Sequence, residues 1–268
     1  MNNSFEFKEK YQIEDLLHIM SILRSPGGCP WDREQDHQSI KKNFIEETYE
    51  VVEAINKDDP ALLCEELGDV LLQIVFHARM EEESGRFSFS EVADGICKKL
   101  IERHPHVFGD VAVSGSDEVL DNWDAIKRKS KRQKSAAEAM DAVPRELPAL
   151  MRSTKIQKKA EKVGFDWPDV NGALAKLREE TDELTAAIDA GEKAKIQDEL
   201  GDVLFSAVNV SRFADVDAEE ALTQSTDKFF ARFSLVENMA KESGIDMKHA
   251  GIDELDRLWD KAKIINKD

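Results

Sequence analysis

Two short acidic motifs in the second half of the chain have the spacing of a metal-binding site. Glu179, Glu180 and Glu183 belong to the letters EETDE, and Glu199 and Asp202 belong to DELGD. Residues three and four apart share one face of a helix, so each motif presents a pair of carboxylates. Glu199 lies sixteen positions after Glu183, which allows a helix to end and the chain to return antiparallel. We therefore expect two facing helices that bring four acids together: Glu180, Glu183, Glu199 and Asp202.

Four neighbouring carboxylates repel one another unless a cation compensates them. Acids at helical spacing usually form a solvated face, but these lie beside Leu200 and Val203, where an uncompensated charge is unfavourable. Oxygen ligands favour Mg²⁺ or Mn²⁺ over zinc. The sequence therefore predicts a Mg²⁺ site, with Mn²⁺ as an alternative. Gly201 weakens its helix by about 1 kcal/mol relative to alanine, so we expect it to permit close helix packing.

The same acidic motifs occur in the first half of the chain. EETYE at 46–50 matches EETDE at 179–183, and ELGDVL at 66–71 matches 199–204, both at an offset of 133. GCPW at 28–31 resembles GFDW at 164–167 at an offset of 136. These matches predict a duplicated domain, with a first copy at 1–134, a linker at 135–147 and a second copy at 148–268. They also predict a second possible metal site, formed by Glu47, Glu50, Glu66 and Asp69.

The periodicity of the apolar residues predicts an all-α protein of two duplicated helical-bundle domains. Leu63, Leu67, Val70 and Leu71 recur at steps of one helix face, as do their counterparts in the second half. Only 13 of the 268 residues are glycine and 7 are proline, which argues against a loop-rich β protein. The one short strand candidate is GRFSFSEV at 85–92. Helices are expected near 11–23, 39–55, 90–103, 117–134, 148–162, 171–188, 217–241 and 253–266.

The amino-acid composition argues against a general nucleic-acid-binding protein and against a secreted or membrane protein. A net charge of −18 makes general nucleic-acid binding unfavourable, because nucleic acids are themselves densely negative. The three cysteines form no CxxC pair, which favours a reducing cytoplasm. We expect no signal peptide and no membrane span, because no run of about 18 apolar residues occurs.

Other uses of a carboxylate cluster fit less well than phosphate chemistry. A di-iron site needs a Glu-x-x-His motif from two helices, and only Glu34–His37 has that spacing. The chain contains no P-loop, and we interpret HPH at 104–106 as a turn rather than a metal pair. Lys228 and Arg232 lie one helical turn apart, so together they are suited to holding phosphate oxygens.

The combination of motifs is specific enough to indicate a family. GCPWD, EETYE, ELGDVL, ERHPHVFGD and VGFDW, in this order and in tandem, resemble the MazG-type all-α nucleoside triphosphate pyrophosphohydrolases over residues 11–266. The resemblance implies hydrolysis of NTPs and dNTPs to the monophosphate and pyrophosphate with Mg²⁺. It also implies a homodimer and a house-cleaning role in the nucleotide pool.

The resemblance also implies roles for individual residues. Glu180, Glu183, Glu199 and Asp202 would ligate Mg²⁺, and Glu179 would orient or deprotonate the attacking water. The residues that would bind the triphosphate are Lys176, Lys195, Lys228, Arg232 and Lys263, and Trp259 would pack on the nucleoside. The alternative is a metal-binding regulatory or partner-binding helical protein without hydrolase activity.

The two copies are not expected to be equally active. The residues that correspond to Lys176 and Lys195 in the first half are Asn43 and Leu62, at the offset of 133. The first site therefore lacks two cations that would offset the charge of a triphosphate. We predict that the second copy is catalytic and that the first is weak or non-catalytic.

Overall fold

The computed structural model describes residues 5–130 and 135–265, and this part of the chain is all-α, as predicted. Its described residues form thirteen helices and no strand. In chain order the helices are α1 (Ile13–Arg24), α2 (Pro30–Glu34), α3 (Lys41–Asn56), α4 (Pro60–Glu83), α5 (Phe89–Arg103), α6 (Pro105–Phe108), α7 (Ser116–Ser130), α8 (Ala136–Asp141), α9 (Ala149–Glu161), α10 (Val170–Ala190), α11 (Lys193–Phe213), α12 (Ala218–Glu242) and α13 (Ile252–Ile265).

The chain divides into two compact units, Met1–Lys127 and Arg128–Asp268. Each unit contains one long helix hairpin, formed by α3 and α4 in the first and by α10 and α11 in the second. The duplication of helical domains is therefore present in the structure. The predicted linker 135–147 contains α8, which packs against α9. The boundaries of the predicted domains stay a prediction.

Capping residues explain where the second hairpin begins and turns. The Asp169 side chain accepts hydrogen bonds from the backbone N–H groups of Asn171 and Gly172, which fixes the start of α10. Gly191 ends that helix with a φ of 69°, a left-handed conformation that glycine adopts without strain. The next helix begins at Lys193, so the turn between the two helices is short. The acidic motifs are therefore held on antiparallel neighbours, as their spacing predicted.

Each unit has its own apolar core. The core of the first unit consists of Met20, Ile40, Val75, Phe76 and Met80, with α1 packed against α4. In the second unit, Val236, Ala240, Leu258 and Ala262 join α12 to α13. These clusters do not cover all of the apolar surface of the hairpins. Leu67, Leu200 and Leu204 each remain about half exposed.

The glycine in each acidic motif lies on an open surface rather than in a close helix contact. A Cβ added at Gly68 or at Gly201 would meet no atom of the described residues within 4 Å, apart from its own helix backbone and chain neighbours. The expectation of close helix packing at Gly201 was therefore wrong. The missing side chain instead leaves space beside the acidic residues of each hairpin.

The strand candidate at 85–92 is a loop that leads into a helix. Gly85 has a φ of 66° and follows the end of α4. Ser88 and Glu91 form a capping box, in which each side chain bonds the other's backbone, and this box starts α5 at Phe89. The alternation of apolar and polar residues was therefore misleading here. Among the residues that the structure describes, no helix is long and apolar enough to cross a membrane.

Candidate metal centres

The second hairpin brings three of the predicted metal ligands together. Oxygen atoms of Glu180, Glu199 and Asp202 lie within 4.8 Å of one another. Glu180 is 5% exposed and Glu199 is 8% exposed, whereas Asp202 is open to solvent. Two carboxylates are thus largely removed from water next to a third. Such a group is unfavourable without a cation nearby, which makes it a candidate metal centre.

Glu183, the fourth predicted ligand, contacts the cluster through Glu199. The two side chains hydrogen-bond to each other, and Glu183 itself is exposed. Burial raises the pKa of Glu199, and the charges of Glu183 and Glu180 raise it further, while Lys195 opposes them. Glu183 therefore lies at the exposed side of the cluster, one helical turn beyond Glu180.

Lys176 lies directly on the carboxylates. Its ammonium group is 2.9 Å from Glu179 and 2.5 Å from Glu180, one helical turn away. Hydrogen bonds to Glu180 and Glu179 raise the pKa of Lys176, so the lysine stays charged. It partly compensates the buried charge of Glu180. Glu179, predicted to act on the attacking water, is exposed and bonded to this lysine.

Lys195 borders an open groove beside Asp202. The groove has a volume of about 640 Å³ and is lined by Ala194, Lys195, Gln197, Asp198, Gly201 and Asp202. The open face of Gly201 is part of its wall. The groove therefore offers a solvent-accessible space between an ammonium group and a candidate metal ligand.

The other predicted substrate residues lie on α12 and α13. Trp259 packs on the core between these helices, with its ring 5.2 Å from that of Phe229. Lys263 donates a hydrogen bond to Asp260, at 2.9 Å. Lys228 is exposed, and the Nε of Arg232 is buried without a hydrogen-bond partner in the structure. Their roles in substrate binding stay a prediction.

The first hairpin holds a similar cluster with a different charge environment. Oxygen atoms of Glu47, Glu66 and Asp69 lie within 4.8 Å of one another, and all three residues are half-buried. Glu50 hydrogen-bonds to both glutamates. Burial raises the pKa of Glu47 and of Glu66, and neighbouring carboxylates raise both further. Asn43 takes the place that Lys176 has in the second hairpin.

The second unit contains a cavity of about 460 Å³ that was not predicted from the sequence. It is lined by Met140, Ile156, Gln157, Ala160, Gly164, Phe165, Asp166, Trp167, Phe205, Asn209 and Arg212. Gln157 is 6% exposed, and its Oε1 is buried without a hydrogen-bond partner in the structure. Arg212 closes one side through ion pairs with Glu161 and Asp166. The cavity thus combines apolar walls with unused polar groups.

The duplicated sequence contained a signal for this cavity. At the offset of 133, Asn209 corresponds to Phe76, and at the offset of 136, Ala160 corresponds to Arg24. In the first unit the Arg24 guanidinium packs over the Phe76 ring, 5.3 Å from its centre. The second unit has smaller side chains at both positions. The change from Arg24 and Phe76 to Ala160 and Asn209 is therefore a sequence signal for the opening.

Comparison with known proteins agrees with the geometry of the two hairpins. The model of the MazG nucleotide pyrophosphohydrolase domain matches the chain twice, at residues 35–108 and 169–236. Both matches include one complete acidic hairpin. The chain belongs to the MazG family.

Several curated proteins resemble the chain over most of its length. A nucleoside triphosphate pyrophosphohydrolase of Escherichia coli is 43% identical over 258 residues, which cover 94% of this chain and 97% of that protein. The nucleoside triphosphate pyrophosphohydrolase/pyrophosphatase MazG of Thermotoga maritima is 44% identical, with 93% and 95% covered. The uncharacterized protein YabN of Bacillus subtilis is 46% identical over 94% of this chain but only 52% of its own. The predicted family is therefore confirmed.

Proposed function

We propose that this MazG protein is a Mg²⁺-dependent nucleoside triphosphate pyrophosphohydrolase that converts NTPs or dNTPs to the monophosphate and pyrophosphate. The observation that carries the proposal is the convergence of Glu180, Glu199 and Asp202 on one helix hairpin within a MazG domain. A role in clearing unwanted nucleotides from the cytoplasmic pool is consistent with this activity. The three cysteines, all free, suit that reducing compartment.

The residues of the second hairpin fit a hard divalent ion. Their donor atoms are carboxylate oxygens, which Mg²⁺ and Mn²⁺ prefer, and two of these carboxylates are buried. Glu180, Glu183, Glu199 and Asp202 would hold the ion. When bound, it would supply positive charge to phosphate oxygens and to the pyrophosphate leaving group.

The other residues of the site have separate tasks in this proposal. Glu179 orients or deprotonates the attacking water from the exposed side of α10, and a general base needs this position more than a particular pKa. Lys195 binds a phosphate group in the open groove beside Gly201. The remaining cations that bind the triphosphate are Lys176, Lys228, Arg232 and Lys263.

Two features of the second unit are suited to the nucleoside. Trp259 is held firmly by its contact with Phe229 and presents an aromatic ring. The cavity beside α9 offers apolar walls and the Oε1 of Gln157, which has no hydrogen-bond partner among the described residues. Two of its lining residues, Phe205 and Asn209, share one face of α11 with Asp202. We assign the binding of the nucleotide base to Trp259, and the cavity is the alternative binding site for the base.

An isotope experiment tests the proposed reaction. The protein is incubated with a panel of NTPs and dNTPs in ¹⁸O-labelled water with Mg²⁺. The products are then separated, and their masses are measured by mass spectrometry. We expect a monophosphate that carries the label and unlabelled pyrophosphate, because water attacks the α-phosphorus and pyrophosphate leaves. Label in the pyrophosphate would show attack at the β-phosphorus. No product from any nucleotide would favour the alternative, a metal-binding regulatory protein.

We also propose that the protein is a homodimer. Leu200 and Leu204 on α11, and Phe230 on α12, are 47%, 50% and 71% exposed. Exposed apolar surface of this kind is commonly buried between subunits. We expect light scattering at micromolar concentration to give twice the chain mass of 30.3 kDa. Leu204→Glu should shift the protein towards the monomer, and a fully active monomer of the unchanged chain would contradict the proposal.

A further inference from the structure

Two histidines of the first unit face each other outside the acidic cluster. His37 lies in the loop between α2 and α3, and His77 lies on α4. Their Nδ1 atoms are 2.7 Å apart, their rings are almost parallel at 6°, and the ring centres are 5.0 Å apart. The two nitrogens therefore lie between the rings and point at each other.

A fixed carboxylate determines where the proton of His37 lies. Glu81, one helical turn after His77, is 8% exposed and contacts the Nε2 of His37. Arg86 donates two hydrogen bonds to Glu81, one of them at 2.7 Å. These bonds lower the pKa of Glu81 to about 2, so it is ionised and accepts a hydrogen bond from Nε2–H of His37. In the neutral ring, the lone pair of His37 Nδ1 is then directed at His77.

Two imidazole nitrogens that face each other repel through their lone pairs unless a proton or a metal ion lies between them. A metal ion can take the place of that proton, and neutral imidazole is a preferred ligand of zinc and related ions. Burial lowers the pKa of His77, which favours its neutral form. A carboxylate that holds the far nitrogen of a ligating histidine is a common feature of such sites, because it fixes the orientation of the ring.

We propose that His37 and His77 form a binding site for a late first-row divalent metal ion of the zinc class, oriented by Glu81 and separate from the acidic clusters. Tetrahedral zinc at its usual bond length would place the two nitrogens about 3.3 Å apart. The rings must therefore separate by a few tenths of an ångström from their 2.7 Å contact. Water would complete the coordination.

The surroundings leave room for this ion and its water ligands. The two histidines and Glu81 border an open groove of about 480 Å³, whose other walls are Phe44, Ile74, Ala78, Phe87 and Val92. The side chain of His37 is 39% exposed, so an ion can enter from solvent. Its binding would tie the loop before α3 to α4 and thereby stabilise the first unit.

The second copy of the domain lacks this arrangement. At the offset of 133, His77 corresponds to Val210 and Glu81 corresponds to Ala214. The position of His37 corresponds to Val170 or to Ala173, at offsets of 133 and 136. The site is therefore a property of the first unit alone and does not follow from the duplicated chemistry of the MazG domains.

A zinc titration of the full chain tests the proposal. Metal-free protein is titrated with Zn²⁺ in a large excess of Mg²⁺, which saturates the acidic clusters, and bound zinc is measured by competition with a chromogenic chelator. We expect His37→Gln and His77→Gln to bind one zinc ion fewer per chain than the unchanged protein. Glu81→Gln should keep the site but weaken it by about tenfold. His249→Gln, a histidine change in the second unit, is the matched control and should bind zinc normally.

A measurement on the unchanged protein covers the case in which a variant does not fold. In a ¹⁵N spectrum of the histidine rings, one equivalent of Zn²⁺ should shift the Nδ1 resonances of two histidines and leave their Nε2 resonances nearly unchanged. Unchanged Nδ1 resonances would mean that the pair only shares a proton, and the proposal would be wrong. Equal zinc binding by the unchanged protein and the folded His77→Gln variant would overturn it as well.

Discussion

We expect Asp202→Asn and Glu180→Gln each to reduce NTP hydrolysis by roughly a hundred-fold or more, and Asp69→Asn and Glu47→Gln to leave most of it. The first pair removes the charge of proposed metal ligands in the second hairpin while it keeps the size of the side chain. Losing one group that stabilises charge in the transition state commonly costs a factor of about 100 to 1,000 in rate. Initial rates at saturating Mg²⁺ measure the effect.

The two hairpins are expected to differ because of the cations near them. Lys176 contacts Glu180 in the second hairpin, while the corresponding residue of the first is Asn43. Losing one charge-assisted hydrogen bond to a phosphate costs about 1.5–3 kcal/mol, or roughly ten- to a hundred-fold in binding. A large loss of activity in Asp69→Asn, with an unchanged circular-dichroism spectrum, would reverse the assignment and make the first hairpin the catalytic one.

Removal of divalent ions should abolish hydrolysis almost completely. We expect protein dialysed against EDTA to lose activity by at least about a hundred-fold, since the proposed chemistry depends on the charge of the ion. Mg²⁺ or Mn²⁺ should restore the activity. Activity that persists at full level in EDTA would contradict a role for the carboxylates as metal ligands.

The removal of divalent ions should also change the melting temperature of the protein. The pKa of Glu199 is raised, chiefly by burial, so the metal-free folded protein is destabilised as the pH rises through that pKa. Mg²⁺ should offset this and raise the melting temperature at neutral pH. The matched variant Glu199→Gln should melt at a higher temperature than the unchanged protein without metal and should respond less to Mg²⁺. A variant that still responds fully would show that the stabilising ion binds elsewhere.

Helix spacing was sufficient to predict the hairpins and the convergence of their acids. Glu180 and Glu199 meet because a short turn makes α10 and α11 antiparallel, and sequence distance alone determines this. The partners of individual side chains were harder to predict. The ion pair between Lys176 and Glu180 depends on side-chain rotamers, which the sequence does not specify. The sequence therefore predicted a phosphate contact for Lys176 but not this ion pair.

Features that depend on the shape of the packed chain were not predicted. The open face of Gly201 depends on which helices approach it and which do not, and local periodicity does not specify this. The cavity beside Gln157 had a sequence signal in the smaller residues Ala160 and Asn209, but its meaning depends on the contact between Arg24 and Phe76 in the folded first unit. His37 and His77 are forty residues apart in different elements, so no spacing rule relates them. The sequence pattern paired His37 with Glu34 in a Glu-x-x-His motif, whereas in the structure its carboxylate partner is Glu81.

The contact between Lys176 and Glu180 has a consequence for the order of events at the site. A divalent ion that bound the Oε1 of Glu180 would compete with this ammonium group for the same oxygen, so metal binding there would be an exchange of cations. The net charge of the cluster would then change by less than the full charge of the ion, which would reduce the sensitivity of binding to ionic strength. The released lysine would become able to meet a phosphate group once the metal had arrived. Such an order would make the metal-loaded hairpin the form that recognises the nucleotide.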